Sequence, residues 1–144
     1  MSKAHPRRIG RSLLALLAGF LAVIFLSLCT DVLLHVIGVF PPLGRPMADK
    51  LLLLATAYRA VYSVVGTFIT ARLAPHRPML HALTGGAIGL VLSIVGAVAT
   101  WNREPPLGPH WYPLALVALA MPSAWAGGWL ASLQGQAQPL VPRD

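Results

Sequence analysis

The sequence predicts an all-α polytopic membrane protein: a four-helix transmembrane bundle with both termini cytoplasmic. Three observations carry this reading. Of the 144 residues, 56% are hydrophobic and only 10% are charged, against roughly 25% charged in soluble domains. The mean hydropathy is +0.69. The apolar residues gather into four runs separated by proline-rich segments, and each run is about 20 residues or more, enough to cross ~30 Å of hydrocarbon. No stretch alternates with the period of two that marks barrel strands. Helices are then required, because a helix satisfies its own backbone hydrogen bonds in lipid.

The first run opens at Leu13 as LLALLAGFLAVIFLSL and continues to Phe40, a span of 12–40. Pro41-Pro42 is expected to end it, since proline lacks an N–H and clashes with the preceding turn. The second span covers 51–73, with Pro75 and Pro78 following. The third covers 79–100 and runs into the Pro105-Pro106 loop. The fourth covers 113–133, with Pro122 inside it as an expected kink. The loops PPLGRPMADK and NREPPLGPHW are too short for domains. The whole chain, 1–144, reads as one membrane domain. A basic N-terminus before an apolar run resembles a signal peptide. The run is long for one and lacks a small-x-small cleavage site, so a retained helix is expected.

Orientation follows from the basic residues. Lys3, Arg7, Arg8, Arg11, Arg72, Arg77 and Arg143 fall on one side, and Arg45, Lys50 and Arg103 on the other. The excess places both termini inside. The expected location is a bacterial cytoplasmic (inner) membrane. Trp101, Trp111 and Tyr112 flank the last loop, where an outer aromatic belt would sit. The net charge of +7 then belongs to topology and anionic headgroups, and no nucleic-acid partner is expected.

Within the spans, Asp31, His35 and Arg59 are the informative side chains. A charge at mid-membrane costs about 2.5–3.5 kcal/mol on insertion scales, so such residues face protein or water and have partners. Asp31 and His35 are four apart and share a helix face with Ser27. Thr56, Arg59, Tyr62, Ser63, Gly66 and Thr70 form a stripe on the second span. Asp31 lies ten residues before Pro41, and Arg59 nine after Lys50. Antiparallel helices joined by that loop put them at nearly one depth. The expected intramembrane polar cluster is therefore Asp31, His35, Arg59 and Tyr62. It serves as a register-fixing ion pair, or as a proton relay or polar cavity.

Small residues mark helix contacts. Gly85, Gly89, Ser93 and Ala97 form one face of the third span, and Ala120, Ala124 and Gly128 one face of the fourth. Such faces allow close approach in lipid, either within the bundle or against a second copy or larger membrane protein. Cys29, the only cysteine, points away from Asp31 and reads as a small hydrophobe.

No metal site is expected. Asp31 and His35 supply two ligands at helical spacing, short of the three that an open site needs. His76 and His81 lie toward the other end of the membrane, and His110 sits in a loop. A bis-histidine haem fails for the same reason, and no cofactor is expected. No Ser-His-Asp order, HExxH or phosphate-binding glycine loop occurs, so no catalytic residue is expected. The leading expectation is a non-enzymatic protein that packs with itself or a larger membrane complex. The alternative is a small transporter or proton-coupled carrier using the Asp/His/Arg cluster.

The size and four-span layout resemble those of the small multidrug resistance transporters. Their first helix carries a membrane-embedded glutamate. Here Asp31 stands nearer the outer end, with His35 after it. The resemblance is one of layout, and no activity is carried over from it.

Reporter fusions test the orientation. Cytoplasmic signal is expected at Asp144 and external signal near Arg103. An external signal at Asp144 would refute the four-span topology.

Overall fold

The computed structural model describes residues 6–103, 106 and 108–136. Lys3 and Arg143 of the charge count lie outside the described residues, as do the side chains of Arg7 and Arg8. Four helices follow one another: α1 (Pro6–Val36), α2 (Asp49–Leu73), α3 (Pro78–Thr100) and α4 (Trp111–Gln136). Each is long and apolar enough to span a membrane. The described residues contain no strand. The two longer loops share one end of the bundle, here called the loop end. The α2–α3 turn lies at the opposite end.

The first helix differs from its expected span of 12–40. It begins at Pro6 and stops at Val36, before Pro41-Pro42. Gly38 ends it, with φ of +75°. The Val39 amide donates to the Leu34 carbonyl at 2.9 Å and the Gly38 amide to the His35 carbonyl at 3.1 Å. These are the paired bonds of a Schellman motif, with glycine at the left-handed position. A single residue without Cβ thus ends the helix before the prolines come into play. The helix α4 passes through Pro122 without interruption.

The interior is built from small residues. Ala15, Ala71, Ala82 and Ala124 are each at most 1% exposed, and among the described residues no large side chain is fully buried. Large apolar side chains point outward instead: Leu14, Phe25, Val32, Val91 and Val98 are all exposed. This inversion suits a lipid environment. Apolar burial between helices gains little there, and close backbone packing drives association.

Two glycine contacts place α2 at the centre. Between α1 and α2, a Cβ on Gly19 would stand 2.5 Å from the Gly66 carbonyl oxygen. Between α2 and α4, a Cβ on Gly127 would stand 2.5 Å from the Val64 carbonyl oxygen. Neither space admits a side chain. On α3 and α4, Gly86 abuts Ala124, and Gly128 abuts Ala82 and Met79.

The third helix therefore meets the fourth through Ala82 and Gly86. Of the face expected to pack, Gly85, Gly89, Ser93 and Ala97, the first and last are buried and Gly89 and Ser93 are half-buried. A Cβ on Gly89 would meet no atom within 4 Å, and one on Gly85 only a Leu16 methyl at 3.5 Å. Ala82 and Gly86 seat α3 because they oppose Ala124 and Gly128; each stands seven residues before Gly89 and Ser93, about 20° away on the wheel, so the difference is one of height along α3. Gly85, Gly89 and Ser93 border a cavity instead.

The helix α1 rests mainly on α2 and touches α3 only slightly. Among the described residues it has no close backbone approach to α4. At the turn end His81 Nε2 lies 3.0 Å from the Ser12 hydroxyl, tying α3 to α1. At the loop end the Trp111 indole N–H approaches Asp49 at 3.4 Å, tying α4 to α2.

Gly66→Leu should lower stability by about 1–3 kcal/mol or more, the overpacking range. Gly89→Leu should leave it nearly unchanged. Thermal unfolding in mild detergent measures both. Equal losses would show that backbone contact at Gly66 does not organise the bundle.

Candidate functional site

The α1–α2 seam carries the polar side chains. From Gly19–Gly66 toward the loop end, antiparallel helices bring residues 30 and 31 beside residues 58, 59 and 62. The Arg59 guanidinium pairs with Asp31 Oδ2 at 2.6 Å. The Tyr58 hydroxyl donates a hydrogen bond to Asp31 Oδ1. Both carboxylate oxygens are thus engaged. One residue earlier, the Thr30 and Tyr62 hydroxyls lie 2.8 Å apart. Desolvating an unpaired charge is far costlier than desolvating a paired, hydrogen-bonded one. This seam satisfies that demand for Asp31 and most of it for Arg59.

The expected cluster of Asp31, His35, Arg59 and Tyr62 is thus only partly joined. Asp31 and Arg59 are in contact. Tyr62 binds Thr30 rather than the charged pair. His35 shares the helix face of Asp31 but not its carboxylate: its Nδ1 lies 2.7 Å from the Asp31 backbone carbonyl. Its ring meets Phe40 edge-on, with centroids 5.4 Å apart. A histidine four residues after an aspartate in a helix reaches the backbone oxygen of the preceding turn, which here outcompetes the side chain.

Tyr58 is the member that sequence reasoning missed. It stands beside Arg59 in sequence, off the marked stripe, and reads as a packing aromatic. Its hydroxyl reaches Asp31 because α1 and α2 come so close at Gly19–Gly66. Tyr112 is a second omission. It begins α4 as part of the aromatic flank, and its hydroxyl adjoins the Arg59 guanidinium. Three helices therefore converge on one arginine. The guanidinium has five N–H donors, and its buried Nε–H has no partner.

Below the pair lies a cavity of about 490 Å³, within the ~300–1,000 Å³ range of ligand sites. All four helices line it. Ser27 and Asp31 come from α1, Arg59, Ser63 and Thr67 from α2, Gly89 and Ser93 from α3, and Leu119 and Ala120 from α4. Its origin is the fold itself. Close contact of α1 with α2, and of α3 with α4, leaves α1 apart from α4. The glycines of α3 add no side chain to fill the space. Phe20, Val23, Ile24, Leu28, Leu92 and Leu116 make much of the wall apolar. Ser63 and Thr67 hydroxyls are turned to their own helix, donating to the Arg59 and Ser63 carbonyls, each at 2.8 Å. Thr56, also on the marked stripe, is buried and donates to the Leu52 carbonyl at 2.9 Å.

Other candidate groups lie elsewhere. His110 stacks on Trp101 with ring centroids 4.2 Å apart, and His76 meets His81 edge-on at 5.3 Å. Among the described residues no three His, Cys, Asp or Glu side chains come together as a metal site. Cys29 is exposed on the outside of α1. The Ser12–His81 contact pairs a hydroxyl with an imidazole but stands at the turn end, outside the cavity.

Asp31→Asn and Arg59→Gln should each destabilise the protein by stranding a partner. The double variant should lose less than the sum, with a coupling of about 0.5–3 kcal/mol. Chemical unfolding of the three variants in detergent reads this directly. Additive losses would mean that the pair does not act as a unit.

No family model, curated protein or solved structure matches the chain.

Proposed function

We propose that this chain is a small, non-enzymatic carrier or binding protein of a bacterial inner membrane, with both termini in the cytoplasm, that takes a lipid-soluble molecule into its interhelical cavity. One observation carries the reading: the cavity runs up to the Asp31–Arg59 pair, so an apolar chamber ends at a polar, directional group. That is the general form of a small-molecule site, with apolar walls and few placed polar atoms. A pair serving only to lock helix register needs no adjoining space.

The other parts of the reading rest on separate grounds. The cytoplasmic termini rest on the distribution of Lys and Arg. The non-enzymatic character rests on the sequence, in which no Ser-His-Asp order, HExxH or phosphate-binding glycine loop occurs. Proton coupling through Asp31 is not part of the reading. A carboxylate engaged at both oxygens is a fixed acceptor, and His35 is bound to backbone.

Native mass spectrometry of the protein extracted in mild detergent tests the reading. A stoichiometric small molecule should accompany the wild type and be absent from Gly89→Phe, which fills the cavity from a position with open space. A protein partner with no small molecule would replace this reading with one of association, either with a larger membrane complex or with a second copy.

A further inference from the structure

We infer that the cavity, taken as the binding site proposed above, selects a neutral amphipath: a hydrocarbon body with a head that offers a carbonyl oxygen to the Arg59 guanidinium. The inference rests on the hydrogen-bonding capacity left at the polar end. Asp31 is already approached at each oxygen, by Tyr58 and by Arg59. Arg59 is the group with donors to spare. One of its amino groups serves Asp31, its Nε–H is buried out of reach, and the remaining amino N–H donors belong to a side chain that is 34% exposed beside the cavity.

Charge narrows the head further. Asp31 and Arg59 cancel, so the site as a whole is neutral. A cationic head would need a carboxylate free to receive it, and Asp31 is taken. An anionic head would bring a second negative charge next to Asp31, where low dielectric magnifies repulsion. It would also compete with Asp31 for the same guanidinium. A carbonyl oxygen asks only for one spare N–H and leaves the pair intact.

The walls select the body. Phe20, Val23, Ile24, Leu92 and Leu116 supply hydrocarbon contact. Ser63 and Thr67 present little polarity, because their hydroxyls are turned to helix carbonyls. The ligand would lie along the helices with its head at the loop end and its tail toward Gly19 and Gly85.

The test uses probes that share a chain and differ in the head: 2-dodecanone, dodecanoate, dodecyltrimethylammonium and dodecane. Binding is read as the excess of each probe in protein-loaded over empty lipid nanodiscs. Wild type should bind the ketone best. Gly89→Phe should abolish that binding without loss of fold. Arg59→Lys keeps the charge opposite Asp31 but removes the planar fork, and should weaken the ketone about tenfold, the loss of one charge-assisted hydrogen bond. The same substitution should leave dodecane unchanged. Preference for the anionic or cationic probe, or indifference of the ketone to Arg59→Lys, would overturn this inference while the cavity reading stands. Excess binding that Gly89→Phe does not touch, or no excess for any probe, would overturn both.

Discussion

The bundle depends on how closely α2 can be approached. Gly66 admits α1 on one face and Gly127 admits α2 on another, each at backbone contact. In water, burial of large apolar side chains would hold such helices together. In lipid that gain is small, because the surroundings are as apolar as the side chains. Dispersion between closely packed backbones must replace it. The alanines and glycines of the interior and the leucines of the exterior follow from that one constraint.

Close approach also makes the polar seam possible. A tyrosine on α2 reaches a carboxylate on α1 only when the two axes are near. With Gly19 on Gly66, the Tyr58 and Arg59 side chains both meet Asp31, and Thr30 meets Tyr62. The charges thus belong to the packing. Each lowers the cost of placing the other in the membrane, and together they set the register of α1 on α2.

The same geometry leaves the cavity. Helices α3 and α4 pack on each other and on α2, while α1 leans on α2 and stands clear of α4. Larger residues at positions 85, 89 and 93 would have filled the gap. Gly85, Gly89 and Ser93 do not. A stripe of small residues in a membrane helix can admit a neighbouring helix or leave room for a smaller molecule. In this chain the two uses lie side by side on α3, with Ala82 and Gly86 against α4 and Gly89 facing open space.

Much of the architecture was legible from residue order. Hydropathy and proline spacing determine four helices and nearly their bounds, because a lipid-spanning segment must be helical and about 20 residues long. Loop symmetry puts Asp31 and Arg59 at one depth, since helical rise is constant. Depth and helical phase are properties of a single segment, and sequence determines them. What tertiary structure decided is contact between segments. It did not choose the end of α1: Gly38 ends that helix before Pro41 through local Schellman bonds, in a backbone conformation that glycine takes freely. It turned His35 to a backbone carbonyl, and brought Tyr58 and Tyr112 to the charged pair. It assigned Ala82 and Gly86 to packing and left Gly89 to the cavity. Ala82 and Gly89 are seven residues apart, about 20° on the helix wheel, so helical phase does not separate those last two fates, and only the neighbouring helices at each height determine which position is filled.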